Sequence, residues 1–250
     1  MCNLDYYKYS FFNKDFLVKE VSFYETRLLL KKINSPDLEQ VFDNLLSICV
    51  KNKNLNVLEK IILLFYVRGF IFGNEITFMK DGKEVTVDLN DIVGEFTKEQ
   101  STLTIKIGGL NYDFSYVNNF DNFDDKLSLI ESSLVSVNGL NIQNIEDKLG
   151  YLPAVNINDI YTQIFEHFYS FNYELKILDY DLNINNILIF MKTIFTCELM
   201  DLYEIEYKLR RLLNFTTEDL KNNSLPECRI LMNLYVKENK ESEVEQQMNQ

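Results

Sequence analysis

The chain has 250 residues, 46% of them hydrophobic, enough to bury a sizeable core as one large domain or two closely packed ones, and this composition excludes disorder throughout. A net charge of -13 argues against binding nucleic acid, because phosphate recognition needs clustered Lys and Arg. Fifteen Tyr and nineteen Phe supply core volume without Trp, and only eight Gly and three Pro leave long stretches free to form helix, so a mainly helical α+β fold is expected.

The N-terminal aromatics Tyr6, Tyr7, Tyr9, Phe11 and Phe12 lack a helical period and read either as an early strand or as an extended arm. Val21, Tyr24, Leu28 and Leu29 fall on one face of a first helix over 21–32. Ser35 then offers an N-cap with Pro36 at the first helical position, followed by the stripe Leu38, Val41, Phe42, Leu45 and Ile48. Asn54 or Asn56 can cap a third helix, apolar on all sides over 57–67, ending at Arg68 with Gly69 available for the left-handed turn. That helix should be central and buried.

After Gly73 the period changes. Runs over 75–79 and 84–88 flank Asp81-Gly82, and Leu103, Ile105 and Ile107 are answered across Gly108-Gly109 by Tyr112, Phe114 and Tyr116. Two hairpins are predicted, together one small antiparallel sheet, with a short helix over 89–96 between them. An acidic loop at Asp121, Asp124 and Asp125 leads back to helical spacing in Leu127, Ile130 and Leu134, continuing to Ile142, Ile145 and Leu149 before Gly150 and Pro153.

Asn158 can cap a long amphipathic helix through Ile160, Ile164, Phe168, Phe171, Leu175 and Leu178. A further helical region over 184–213, interrupted near Cys197, has the stripe Leu199, Leu202, Ile205, Leu209 and Leu212. Thr216 with Asp219, and Ser224 with Glu227, are reciprocal capping signals. The last helix starts near Leu225 with an apolar face of Ile230, Leu231 and Leu234, and the charged segment 237–250 is expected to be a disordered tail. The chain thus divides into an aromatic segment and helices (1–73), a small sheet (74–120), a helical region (121–236) and a polar tail (237–250).

Cys2, Cys49, Cys197 and Cys228 are scattered, with no CxxC pair, which fits a reduced cytosolic setting better than a zinc or redox site. No charged start followed by an apolar run marks a signal peptide, and no apolar run approaches the roughly 20 residues of a membrane span. The densest basic spot, Lys208, Arg210 and Arg211, lies beside Glu204 and Glu206 and reads as an ion-paired helix face.

The single histidine, His167, has no ligand or nucleophile spacing around it, and a structural role is expected. Asp179, Asp181 and Asn183 imitate the start of a calcium loop, but Ile184 stands where Gly is required and Phe190 where a bidentate Glu is required. No phosphate-cradling glycine loop occurs. No catalytic, cofactor-binding or metal residue is therefore assigned, and no cofactor is expected. The remaining candidates are contact residues, the aromatic cluster Tyr6, Tyr7, Tyr9, Phe11 and Phe12, since aromatic side chains anchor interfaces.

Three blocks, YETRLLLKKINSPDLEQVFDNLLSICV with the helix ending in Arg68 and GFIFGNEITF, then LGYLPAVNINDIYTQIFEHF, then LMDLYEIEYKLRRLLNFTTEDLKNNSLPECRILMNLYVKE, cover more than half of the chain. In order and pattern they resemble the baseplate-hub assembly proteins of T-even-like contractile-tailed bacteriophages. Within that family the chain looks most like the hub assembly catalysts, accessory factors needed to build the central hub and absent from the finished particle.

The resemblance implies a late, non-enzymatic, chaperone-like protein of the host cytoplasm, binding phage baseplate hub proteins transiently. It singles out Arg68, whose expected role is pairing with helix-end carbonyls, with direct partner contact as the alternative. Rival readings are a structural hub or tail subunit retained in the virion and a cell-wall hydrolase.

Overall fold

Asn56 begins the central element. Its side chain accepts from the Glu59 backbone N–H while the Glu59 carboxylate accepts from the Asn56 N–H, each at 2.9 Å, a capping box that starts helix α3 (Val57–Phe72). In the computed structural model, which describes residues 5–80, 82–97, 102–123, 125–141, 156–170, 173–175, 180–182, 184, 186–196 and 199–248, α3 is buried on all sides from Val57 to Phe65. Its C-terminus lies four residues beyond the expected one. Gly73, at φ 91, closes the helix with its N–H on the Gly69 carbonyl, in a backbone region that only glycine adopts without strain. Gly69 instead makes room, since a Cβ there would lie 2.3 Å from Asn74 Oδ1.

Before α3 come α1 (Phe23–Lys32), started by a Ser22–Glu25 capping box, and α2 (Leu38–Cys49). The cap of α2 is Asp37, which accepts from Gln40 N at 2.9 Å, rather than Ser35, whose hydroxyl accepts from Asp37 N one step upstream. The N-terminal aromatics form a strand, β1 (Tyr6–Phe11), paired antiparallel with β2 (Lys14–Lys19). Phe12 and Asn13, at φ 50 and 55, make the two-residue turn between them.

The two expected hairpins are present as β3 (Glu75–Lys80) with β4 (Lys83–Asp88), and β5 (Leu103–Ile107) with β6 (Leu110–Phe114), with α4 (Leu89–Phe96) between them. They do not share a sheet. β3–β4 stands as its own two-stranded sheet, while β6 is extended by β7 (Leu134–Val137) and β8 (Leu140–Asn141) into the antiparallel order β5-β6-β7-β8. Leu134 therefore ends α5 (Lys126–Ser133) and begins a strand instead of continuing the helix. Asn138-Gly139, at φ 49 and 75, turns β7 into β8.

Next is α6 (Ile157–Tyr169), which buries Ile160, Ile164 and Phe168 as expected but ends nine residues before Leu178. Leu175 lies in the short strand β9 (Tyr173–Leu175), paired with β10 (Tyr180–Leu182). Asn156 rather than Asn158 holds the N-cap position, and Asn158 accepts from Lys126 Nζ at 2.9 Å. Ile142, Ile145, Leu149, Gly150, Pro153, Phe171 and Leu178 lie outside the described residues.

The remaining helices are α7 (Ile187–Thr196), α8 (Leu199–Leu212), α9 (Thr217–Asn222) and α10 (Leu225–Met248). Both capping signals before α9 and α10 are satisfied, by Thr216 with Asp219 and by Ser224 with Glu227. α10 continues through Met248, so residues 237–248 of the expected disordered tail are helical backbone. Its Lys, Glu, Gln and Met residues are good helix formers even without apolar anchors.

The fold is thus α+β and mainly helical, with one connected apolar core running from Phe11 to Met232. Its two ends are tied together directly. Ser22 and Ser224 form an antiparallel bridge, Phe23 N donates to Asn223 O at 2.9 Å, and Arg27 Nη1 lies 2.5 Å from Glu206 Oε1.

Candidate protein-contact surface

The β1–β2 hairpin lays one face on α3. Tyr9 stacks on Tyr66 with ring centroids 3.9 Å apart, Tyr7 lies 4.8 Å from Phe70, and Phe11 stacks on Phe16 at 4.2 Å. Phe11 is buried, and half-buried Tyr9 and Phe12 pack against the core. Burial raises the Tyr9 phenol above its ordinary value.

Tyr6 and Tyr7 stay outside, 44% and 40% exposed. Lys51 Nζ sits 3.8 Å above the Tyr6 ring, and Tyr7 Oη donates to Glu20 Oε1 at 3.2 Å, the Glu20 charge raising the Tyr7 phenol. Of the five aromatic candidates, these two are the exposed ones.

Arg68 is an internal residue, 1% exposed. Its Nε donates to the carbonyl of Ile194 at 3.2 Å and its Nη1 to the carbonyl of Gly73 at 2.6 Å, while the guanidinium lies 4.9 Å from the Phe72 ring centroid. Ile194 is in the last turn of α7, and Gly73 caps α3. One cation thus answers the negative ends of two helices, the expected bonding to helix-end carbonyls. Direct contact with a partner through Arg68 is excluded in this conformation by its burial.

The residues α10 buries are Leu225, Cys228 and Met232, whereas the apolar face read from the sequence points outward, with Ile230 57%, Leu231 37% and Leu234 51% exposed. The first half of α10 therefore has two apolar faces, and its own fold covers only one.

On α8, which packs against α10, Leu202, Glu206 and Leu209 face inward. Met200, Tyr203 and Tyr207 recur at helical spacing on the exposed side, at 77%, 41% and 58%. Arg211 Nη1 donates to Tyr207 Oη at 2.7 Å and holds the ring in place. The basic spot is ion-paired as expected: Lys208 with Glu204, and Arg210 Nε with Glu206 at 3.0 Å.

The large apolar groups left outward on each of these two helices are suited to covering by another protein. Tyr203 and Tyr207 could have been noticed in the sequence as apolar residues outside the predicted stripe of α8.

Burial pushes the thiols of Cys49 and Cys228 up to about 12, so each is held as a neutral thiol. His167 stands edge-on to Phe168 at 4.7 Å on a half-buried face of α6. Of the calcium-loop imitation, Asp181 belongs to β10, and Asp179 and Asn183 lie outside the described residues. Among the described residues no group of three His, Cys, Asp or Glu side chains is placed to hold a metal ion, and no helix is long and apolar enough to cross a membrane.

Comparison of the chain with models of protein families, with curated proteins and with solved structures found no match.

Proposed function

We propose that this protein is a non-enzymatic assembly factor for the central hub of a contractile phage tail baseplate, binding hub subunits transiently in the host cytoplasm and leaving before the particle is complete. The observation that carries the protein-contact reading is the outward face of α10, where Ile230, Leu231 and Leu234 stay exposed although the same helix buries a separate apolar face. Exposed aliphatic groups cost solubility unless something covers them part of the time, and transient burial against a partner meets that condition. The identity of the partner rests on the resemblance of the three sequence blocks to hub assembly proteins.

The test is capture of individually purified hub subunits by the immobilised full chain. The wild-type protein is expected to retain at least one of them. An Ile230→Ser, Leu234→Ser double variant should bind at least about tenfold more weakly with its unfolding midpoint unchanged, since exposed anchors contribute to binding and not to the fold. Failure of the wild-type chain to capture any hub subunit would overturn the partner assignment, and equal capture by the variant would remove α10 from the interface.

A further inference from the structure

A cleft of about 520 Å³ opens between the C-terminal half of α2, the segment 50–56 that follows it, and Asn118–Asn119. Its chemistry runs against that of the chain as a whole, which carries a charge of -13.

The apolar part of the lining is Leu46 and Val50, both buried, with half-buried Leu55 beside them. Around these stand three ammonium groups, Lys51, Lys53 and Lys60, and a single lining carboxylate, Asp43. Asp43 is already engaged, its Oδ1 lying 2.9 Å from Lys60 Nζ, with Glu39 a further 3.8 Å from the same nitrogen. Lys51 and Lys53 are thus left without a carboxylate partner among the described residues. Lys51 rests on the face of Tyr6 at 3.8 Å, a contact that positions the charge without neutralising it.

The wall is stiff where it meets the hairpin. Asn52 Oδ1 accepts from Leu17 N at 3.2 Å and its Nδ2 donates to Asp15 O at 2.9 Å. Asn118 and Asn119, both exposed, add amide donors and acceptors suited to a peptide backbone.

We infer that this cleft docks a short acidic peptide segment of the partner, its carboxylates paired with Lys51 and Lys53 and an aliphatic side chain seated against Leu46, Val50 and Leu55. The inference rests on reading the chain as a protein-contact factor and adds a second, electrostatic docking point to the apolar face of α10. Tyr6, at the edge of Lys51, falls within reach of the same ligand. An acidic chain repels an acidic peptide at long range, so preference for such a peptide has to come from a local positive surface.

The test is fluorescence anisotropy with a labelled peptide of alternating Glu and Leu, compared with its Lys-for-Glu counterpart, on the full chain. The Glu peptide should bind more tightly than the Lys peptide and weaken as salt is raised. Lys51→Glu with Lys53→Glu should weaken it at least about tenfold, whereas Lys83→Glu with Lys106→Glu, the same change of net charge on exposed strands elsewhere, should leave it within about twofold. The neutral pair Lys51→Gln with Lys53→Gln guards against a folding defect and should fall between.

Equal loss in both charge-reversed variants, or tighter binding of the Lys peptide, would overturn the inference. The two proposals fail separately. Capture of a hub subunit that is unaffected by the Lys51 and Lys53 changes rejects the cleft alone. Binding of the Glu peptide without capture of any hub subunit rejects the partner assignment alone.

Discussion

Replacing Arg68 by alanine should destabilise the protein severely without touching its surface. The side chain is 1% exposed and donates to two carbonyls, Gly73 O at 2.6 Å and Ile194 O at 3.2 Å. Hydrogen bonds from a charged group contribute about 1.5–3 kcal/mol each, and truncation also leaves a cavity among α3, α7 and Phe72. A loss of roughly 4 kcal/mol is expected, a large share of the ~5–15 kcal/mol typical of a folded domain.

Because that variant can fall near the unfolding threshold, two milder ones make the test decisive. Arg68→Lys retains a charge but not the planar fork, and should cost about 1–2 kcal/mol by losing one of the two bonds. Arg68→Met fills the space but donates nothing, so both hydrogen bonds are lost, and should cost about 2–3 kcal/mol. Urea titration followed by far-ultraviolet circular dichroism measures all three. If Arg68→Met is as stable as the wild type, or if Arg68→Lys keeps full stability while losing hub-subunit capture, the structural assignment of Arg68 is wrong.

Tyr169 is fully buried and its Oη accepts from Val117 N at 2.8 Å, so Tyr169→Phe should cost about 1–3 kcal/mol by stranding a buried N–H, measured by the same titration. Stability should also fall in alkali. Burial raises Cys49 and Cys228 from an ordinary 9.0 to about 12, so the folded state holds protons that the unfolded state releases. The contribution is complete below pH 9.0 and is lost as pH climbs towards about 12. Each thiol adds a slope of about 1.4 kcal/mol per pH unit in that window. A Cys49→Ala, Cys228→Ala variant should show a shallower alkaline decline than wild type, and parallel declines would refute the assignment.

Where local chemistry decided the structure, the sequence was readable. The Asn56 cap, the Gly-Gly turn, and the Ser224–Glu227 box each act within a few residues, and each holds in the fold. Phe12-Asn13 was not readable as a turn, because a bulky residue at φ 50 is unfavourable by itself and is held there by packing, with Phe12 stacked 6.0 Å from Tyr116. Asn138-Gly139 is a strong hairpin signal that the helical spacing of Ile130 and Leu134 obscures.

The exposed face of α10 was hidden for a different reason. Leu225, Cys228 and Met232 compete with Ile230, Leu231 and Leu234 for the core, and hydrophobicity ranks the second set at least as high. The phase of α10 is set by tertiary contacts far away in sequence, the Ser22–Ser224 bridge and the Phe23 to Asn223 hydrogen bond. An apolar stripe in sequence therefore marks a surface to be covered, without saying whether the chain itself or another protein covers it.

The most direct measurement is quantitative mass spectrometry of this chain across hub intermediates and finished particles separated from infected cells. Transient assembly predicts that the chain is enriched with hub subunits in the intermediates and absent from the finished particles. Its recovery in fixed stoichiometry from finished particles would contradict the proposal and identify a structural subunit instead.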